Sequence, residues 1–220
     1  RWYTNSISKT YNPITDLIDK DTTYSFVSNR NATFRSSLNT RIYGMFAFKK
    51  GFVKAVRHVL NPSVSFNYTP DFSNPSLGFY DFYTDKNGKR IYYSKTENGV
   101  YGSPAQGASG VVNFSLSNNL EMKVKDSRDT VDGTRKIILL ENLTIASGYD
   151  LAKDSINWQP LRISARTTLF EKIIVNYSSS FTPYVLDSNG ALTSQLLWDK
   201  EGKLFKRQNS QWTLNLSWQL

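Results

Sequence analysis

Between Ala32 and Lys125 the chain alternates apolar and polar side chains over three long segments, split by one aromatic-rich loop. In the first, Phe34, Leu38, Ile42, Phe46 and Phe48 share one parity, while Thr33, Arg35, Ser37, Asn39 and Arg41 hold the other. A strand sends successive side chains to opposite faces, so this pattern describes ribbons apolar on one side and polar on the other. Strands of soluble domains run to about 5–6 residues, and these alternate for more than twice that length. The expected fold is therefore all-β: an antiparallel transmembrane β-barrel, of which this chain supplies part of a larger outer-membrane wall.

Composition agrees. Mean hydropathy is -0.45, a value that polar lumen-facing residues impose on barrels. No apolar run reaches the roughly 18 residues a spanning helix requires; the longest cluster, Ile137 to Leu140, is far shorter. With no cysteine in 220 residues, disulfide frameworks and thiolate metal sites are excluded. The net charge of +9 admits nucleic acid, anionic lipid or acidic glycan as a partner. The chain opens at Arg1 without an initiator Met or a signal-peptide pattern, as expected of a mature form or a fragment.

Taken in order, residues 1–31 show little periodicity and are expected to form a loop or poorly regular lead-in, with a turn at Asn12-Pro13 and a first strand starting as early as Tyr24. Residues 32–220 then hold about seven strands. The first reaches Phe48, and Lys49-Lys50-Gly51 turns into a second over Val53 to Thr69, where Pro62 predicts an edge or a bulge. A long loop, 70–108, contains a small hairpin at Asn87-Gly88. The third strand, Gly110 to Lys125, has Asn118 as the one interruption of its apolar face. After a polar turn with Asp132-Gly133, a fourth strand places Leu139, Leu143, Ile145, Tyr149 and Leu151 on one parity. The fifth runs through Leu161, Ile163, Ala165 and Leu169, and a Glu171-Lys172 turn leads to the sixth, with Ile173, Val175, Tyr177 and Phe181. A second long loop, 186–209, with turn signals at Asn189-Gly190 and Glu201-Gly202, precedes a last strand from Trp212 to Leu220.

Loop lengths orient the wall. If 70–108 and 186–209 are extracellular, the Lys49, Asp126 and Glu171 turns are periplasmic and the last strand ends at the periplasm. Phe46, Phe48, Phe66, Tyr68, Trp158, Trp212 and Trp218 then fall at strand ends, as in the two aromatic girdles at membrane interfaces. On the polar parity, Arg35, Arg41, Arg57, Lys123, Lys125, Arg162 and Arg166 face the lumen, with Glu121 the one acid among them. Guanidinium forks grip phosphate bidentately. Two readings stay open: a conduit for an anionic, phosphate-bearing molecule, or a wetted lumen balanced by acids on strands outside this chain.

His58, at an apolar-parity position, has no partners at triad or zinc spacing, so it is expected to pack or to sit at an interface. Gly102, Gly107 and Gly110 lack the Gly-Lys-Ser/Thr and following helix of a phosphate loop. Asn-x-Ser/Thr at Asn67, Asn113, Asn142, Asn176 and Asn215 is spelled automatically by alternating strands. No catalytic set, metal site or cofactor site emerges, and no enzyme activity is expected.

The run Arg57 to Phe72, RHVLNPSVSFNYTPDF, resembles a block of the LptD/OstA-type outer-membrane lipopolysaccharide-assembly proteins, in the version found in Bacteroides-like and Flavobacterium-like bacteria. Tyr92-Tyr93-Ser94, Glu97-Asn98-Gly99 and Tyr101-Gly102-Ser103-Pro104 continue it. It is strongest at Asn113-Phe114-Ser115-Leu116 and at Asn118 to Lys125, with Leu140-Glu141-Asn142-Leu143 and Asp154-Ser155 also fitting. The similarity covers roughly Ala32 to Tyr184, the C-terminal barrel part of such a protein. It implies a translocon that receives lipopolysaccharide from periplasmic Lpt bridge components and inserts it into the outer leaflet of a Gram-negative outer membrane. It also implies an LptE-like plug lipoprotein in the lumen, sideways exit of lipid A between the first and last strands, and contact with outer-membrane lipids. Nucleic acid is not an expected partner. The family's periplasmic jellyroll and its domain-linking cysteines have no counterpart in this sequence. A protein-secretion translocon of the SprA type or a TonB-dependent transporter would use similar strands.

Overall fold

The structure is a computed structural model that describes residues 2–126, 133–170 and 172–216. The strands, in chain order, are β1 (Trp2–Asn12), β2 (Leu17–Ser28), β3 (Phe34–Asn39), β4 (Ile42–Ala47), β5 (Val53–Thr69), β6 (Tyr80–Thr84) and β7 (Arg90–Ser94). They continue with β8 (Ser109–Lys125), β9 (Thr134–Asp150), β10 (Leu161–Leu169), β11 (Ile173–Thr182), β12 (Tyr184–Leu186), β13 (Leu192–Leu196) and β14 (Lys206–Leu216). A 3-10 turn, Pro75–Leu77, and a five-residue helix, α1 (Leu197–Glu201), are the helical elements described. No helix among the described residues is long and apolar enough to cross a membrane. The chain forms two compact units: Arg1–Arg35 with Asn67–Gly110, and Ser36–Phe66 with Val111–Leu220.

The first unit departs from expectation. Residues 1–31 are not an irregular lead-in: β1 and β2 form an antiparallel hairpin around the Asn12-Pro13 turn. Two features hide it from sequence. The register slips between Tyr3 and Asn5, and β2 is exposed along most of its length, so no apolar parity marks its faces. The hairpin is held instead by hydrogen bonds to the 70–108 segment. The Ile7 amide donates to the Lys95 carbonyl at 2.9 Å, the Lys9 amide to the Tyr93 hydroxyl at 3.0 Å, and Asn29 Nδ2 to Thr96 Oγ1 at 2.9 Å. Within that segment β6 and β7 form the expected hairpin, with Gly88 at φ +76° in its turn.

Glu97 joins the two parts electrostatically, 2.7 Å from Lys9 Nζ and 3.0 Å from Lys20 Nζ. Burial alone would raise its pKa, but the hydrogen bonds and charges of the two lysines outweigh it and hold the carboxyl below its ordinary range. Tyr3 is buried, and its ring lies where a side chain on Gly99 would go: a Cβ there would stand 2.0 Å from Tyr3 Cε1. Gly99→Ala must therefore displace the ring. An overpacking cost of about 1–3 kcal/mol is expected, read as faster proteolytic cleavage within residues 1–31 while β8 to β11 stay protected.

In the second unit the strand order is β14-β11-β10-β9-β8-β5-β3, with β4 also pairing β5. The expected strands over 53–69, 161–169 and 173–182 appear at those bounds, and the third begins at Ser109. The sheet is open: no closed barrel forms among the described residues. β5, β8 and β9 have 17 residues each, about 55 Å at the usual rise per residue.

The long first strand is broken at residues 40–41, and Pro62 supplies the reason. The β4–β5 register pairs Ile42 with Leu60, which sets Thr40 opposite Pro62. The Thr40 amide donates to the Pro62 carbonyl at 3.2 Å, but proline has no N–H to return the bond. β5 is thus an interior strand, not an edge; the proline costs one rung on its β3/β4 side.

The C-terminal part differs too. Where a loop over 186–209 is expected, residues 184–201 form the β12–β13 hairpin, turned at Gly190 (φ +79°), and α1, which Gly202 closes at φ +66°. β14 begins at Lys206, six residues before the expected start. Its first half is polar and does not alternate, so the β11 ladder fixes it, not its own pattern.

Candidate functional site

The sheet of the second unit has two chemically distinct faces, each continuous from strand to strand by register. One carries Ile42 and Phe46 of β4 opposite Leu60 and Val56 of β5. It continues through Leu116 opposite Ile145, Ile145 opposite Ile163, Ala165 opposite Tyr177, and Val175 opposite Leu214. Many of these side chains are exposed: Phe46 at 64%, Phe114 at 43%, Trp212 at 66% and Leu214 at 69%. A sheet that packs on a second layer buries such residues; this one leaves a broad apolar surface.

Two polar side chains at mid-strand on that face meet each other. His58 Nε2 lies 3.3 Å from Asn118 Oδ1, and Asn118 Nδ2 donates to the Leu143 carbonyl at 3.2 Å. A hydrogen bond offsets the cost of holding each group among apolar neighbours. This accounts for His58 as a packing residue and for the single interruption of the β8 pattern.

The opposite face is polar, and it resolves the basic residues expected to line a lumen. Arg57 Nη2 lies 2.6 Å from Glu121 Oε2, and Lys136 Nζ lies 2.8 Å from Glu121 Oε1. One buried carboxylate thus joins β5, β8 and β9. Arg57, Lys123, Glu121 and Lys136 border a single open depression of about 430 Å³. Arg166 Nε donates to Glu141 Oε2 at 2.9 Å, and Thr168 Oγ1 donates to Glu141 Oε1. Arg166 also borders a second depression of about 250 Å³, with Asn142, Ser164, Asn176, Gln211 and Thr213 around it. Arg41 Nε donates to Asn61 Oδ1 at 2.8 Å and its Nη1 to the Tyr43 hydroxyl at 3.3 Å.

Arg35, Lys125 and Arg162 form no ion pair among the described residues. The seven cations therefore do not act as one group, and two are neutralised by acids of the same sheet. Glu121 is not the one acid on this face. Strict alternation with Leu139 and Leu143 would put Glu141 on their apolar parity, but the β8–β9 register shifts on both sides of Leu120, and Glu141 meets Arg166 on the polar face. The signal was available: four consecutive apolar residues, Ile137 to Leu140, cannot belong to an uninterrupted alternating strand.

The aromatic residues divide similarly. Phe46 and Phe48 lie at the turn end of β4, and Phe66 and Tyr68 at the far end of β5. Trp158 bridges to Tyr149 just before β10, ring centroids 4.9 Å apart. Trp212 is not at a strand end: because β14 starts early it sits mid-strand, its ring 4.4 Å from that of Tyr177. Trp218 lies outside the described residues.

Among curated proteins and among solved structures, nothing matches this chain. The sequence profile described as LptD protein does match, over residues 1–184. That span takes in the N-terminal hairpin, the 70–108 segment and the sheet strands through β11, and on this ground the chain belongs to the LptD protein family.

Proposed function

We propose that the eight-stranded sheet is a segment of a transmembrane β-barrel wall that helps insert lipopolysaccharide into the outer leaflet, its polar face toward the lumen. LptD proteins serve lipopolysaccharide transport and assembly at the outer membrane of Gram-negative bacteria; a secretion translocon or a TonB-dependent transporter is not favoured by this membership. The observation that carries the wall reading is the pair of continuous faces, one apolar and exposed, one polar and hydrogen-bonded. Lipid is the solvent that stabilises such an apolar face. Every strand from β8 to β11, and β14, has at least the roughly 9–11 residues a tilted crossing requires.

In this reading Phe46, Phe48, Phe66, Tyr68 and Trp158 lie at the membrane interfaces, an LptE-like lipoprotein fills the lumen, and periplasmic Lpt components deliver the cargo. Charge in the lumen guides the anionic glycolipid through the cations not committed to Glu121 and Glu141. Arg162 and Lys125 are the informative pair, because reversing Arg166 would also break a structural contact. Arg162→Glu with Lys125→Glu is expected to reduce surface lipopolysaccharide on the order of tenfold, while heat-modifiable migration of the barrel is unchanged. Undiminished export by a correctly folded variant would remove the guiding role and leave the wall intact.

A further inference from the structure

We infer that the turn end of the sheet is a binding rim for anionic phospholipid headgroups of the periplasmic leaflet. The inference rests on the barrel reading and goes beyond it by naming a lipid site on the outside of the wall. Its first support is the placement of charge on the apolar face. In β3 to β5 and β8 to β11, this face carries two cations, Lys54 and Arg135, and both are at the same end. Lys54 stands opposite Phe48, whose amide donates to the Lys54 carbonyl at 2.8 Å, and Arg135 stands opposite Val124. At the other end of β5, β8 and β9 the same face shows Phe66, Tyr68, Val112 and Tyr149 and no cation. β14 adds Arg207 at that other end, where its register slips by one residue.

The second support is what surrounds Lys54. The turn sets Lys49 and Lys50 beside Gly51 (φ +98°), flanked by Phe48 at 49% and Phe52 at 62% exposure. The Lys125 amide donates to the Phe52 carbonyl at 2.8 Å, which fixes this turn against β8. Rings that partition into the acyl boundary, with ammonium groups reaching past them, match the depth profile of a phospholipid: chains, then phosphate. Arg135 is already engaged, its Nε lying 3.7 Å from Asp126, so the headgroup is assigned to Lys49, Lys50 and Lys54. The charge asymmetry is visible in sequence as well. Along the sequence, the segments 44–57, 121–138 and 168–173 hold ten Lys or Arg against five Asp or Glu, a net of +5 out of +9 for the chain.

The test uses the full-length protein with its lipoprotein partner, reconstituted into nanodiscs of phosphatidylcholine containing a minor fraction of phosphatidylglycerol. Bound lipid is read by native mass spectrometry. Enrichment of phosphatidylglycerol over its bulk fraction is expected, falling roughly fivefold per lysine removed in Lys49→Gln, Lys50→Gln and Lys54→Gln. The same positions changed to Arg should retain it. Insertion into the nanodiscs without enrichment, or enrichment that survives the triple Gln variant, would overturn the rim while the wall stands. Preferential retention of lipopolysaccharide at the three lysines would overturn the assignment to the periplasmic leaflet. Failure of the wild-type protein to insert into any bilayer would instead sink the barrel reading itself.

Discussion

Arginine at Leu116 is expected to destabilise the inserted protein by about 2–4 kcal/mol, the cost of a cation at mid-depth on a lipid-facing strand. Leu116 lies between Phe114 and Asn118 on β8, opposite Ile145 of β9, which in turn faces Ile163 of β10. The guanidinium would have no acid within reach on that face and no interface close enough to snorkel to. Arginine at Ser115, one residue away, is the matched control. Ser115 is half-buried and opposite Ala146 on the polar face, where a further cation can reach water, and the change should stay within about 0.5 kcal/mol. Urea titration of the protein folded into lipid vesicles measures both. The two substitutions lie one position apart and introduce the same cationic side chain on opposite faces, so the difference between them reads the face assignment. Equal losses would mean that neither face meets hydrocarbon.

The same alternation marks how far sequence could be read. Parity located β5, β8, β10 and β11 because each buries or exposes one face uniformly, and the side-chain period of a strand then has nothing to compete with. It failed where the pattern was broken by geometry or carried by a neighbour. The slip beside Leu120 moved Glu141 to the face of Arg166, so a pairing acid went uncounted and the polar face looked more basic than it is. Lys206 to Gln211 have no apolar member; their strand conformation comes from hydrogen bonding to β11, a non-local cause that no window of sequence contains. The β1–β2 hairpin is similar, since its inward contacts, Tyr3 on Gly99 and Ile7 on Lys95, join residues nearly ninety or more positions apart. Pro62 was recognised as a defect, but the location of the defect, at Thr40 on a different strand, depended on register. Of the candidate site, the kinds of residue were legible and their partners were not, because ion pairs across a sheet are set by which strands adjoin.

Glu121→Gln is expected to cost about 1–3 kcal/mol of stability, more than either of its partners' neutral replacements. The register shows why an acid is required there. Lys123 of β8 is directly opposite Lys136 of β9, and Arg57 reaches the same carboxylate from β5. Like charges facing each other across strands are destabilising, and Glu121 converts that repulsion into two attractions. Arg57 and Lys136 remain roughly half exposed, with 48% and 57% of their side-chain surface open to solvent, so water screens each pair. Glu121 is buried and cannot substitute water for a lost partner as readily. Removing one cation leaves the carboxylate the other; removing the carboxylate leaves three cations crowded on one face. Two consequences separate this account from simple loss of a surface ion pair. Added salt should recover part of the loss in Glu121→Gln, because it screens the exposed cations. Lys136→Gln, mildly harmful alone, should partly restore stability in the Glu121→Gln background, giving a coupling energy of opposite sign to independent losses. Additive losses in that cycle would show that β5, β8 and β9 are held by their backbone ladders alone, with Glu121 a bystander.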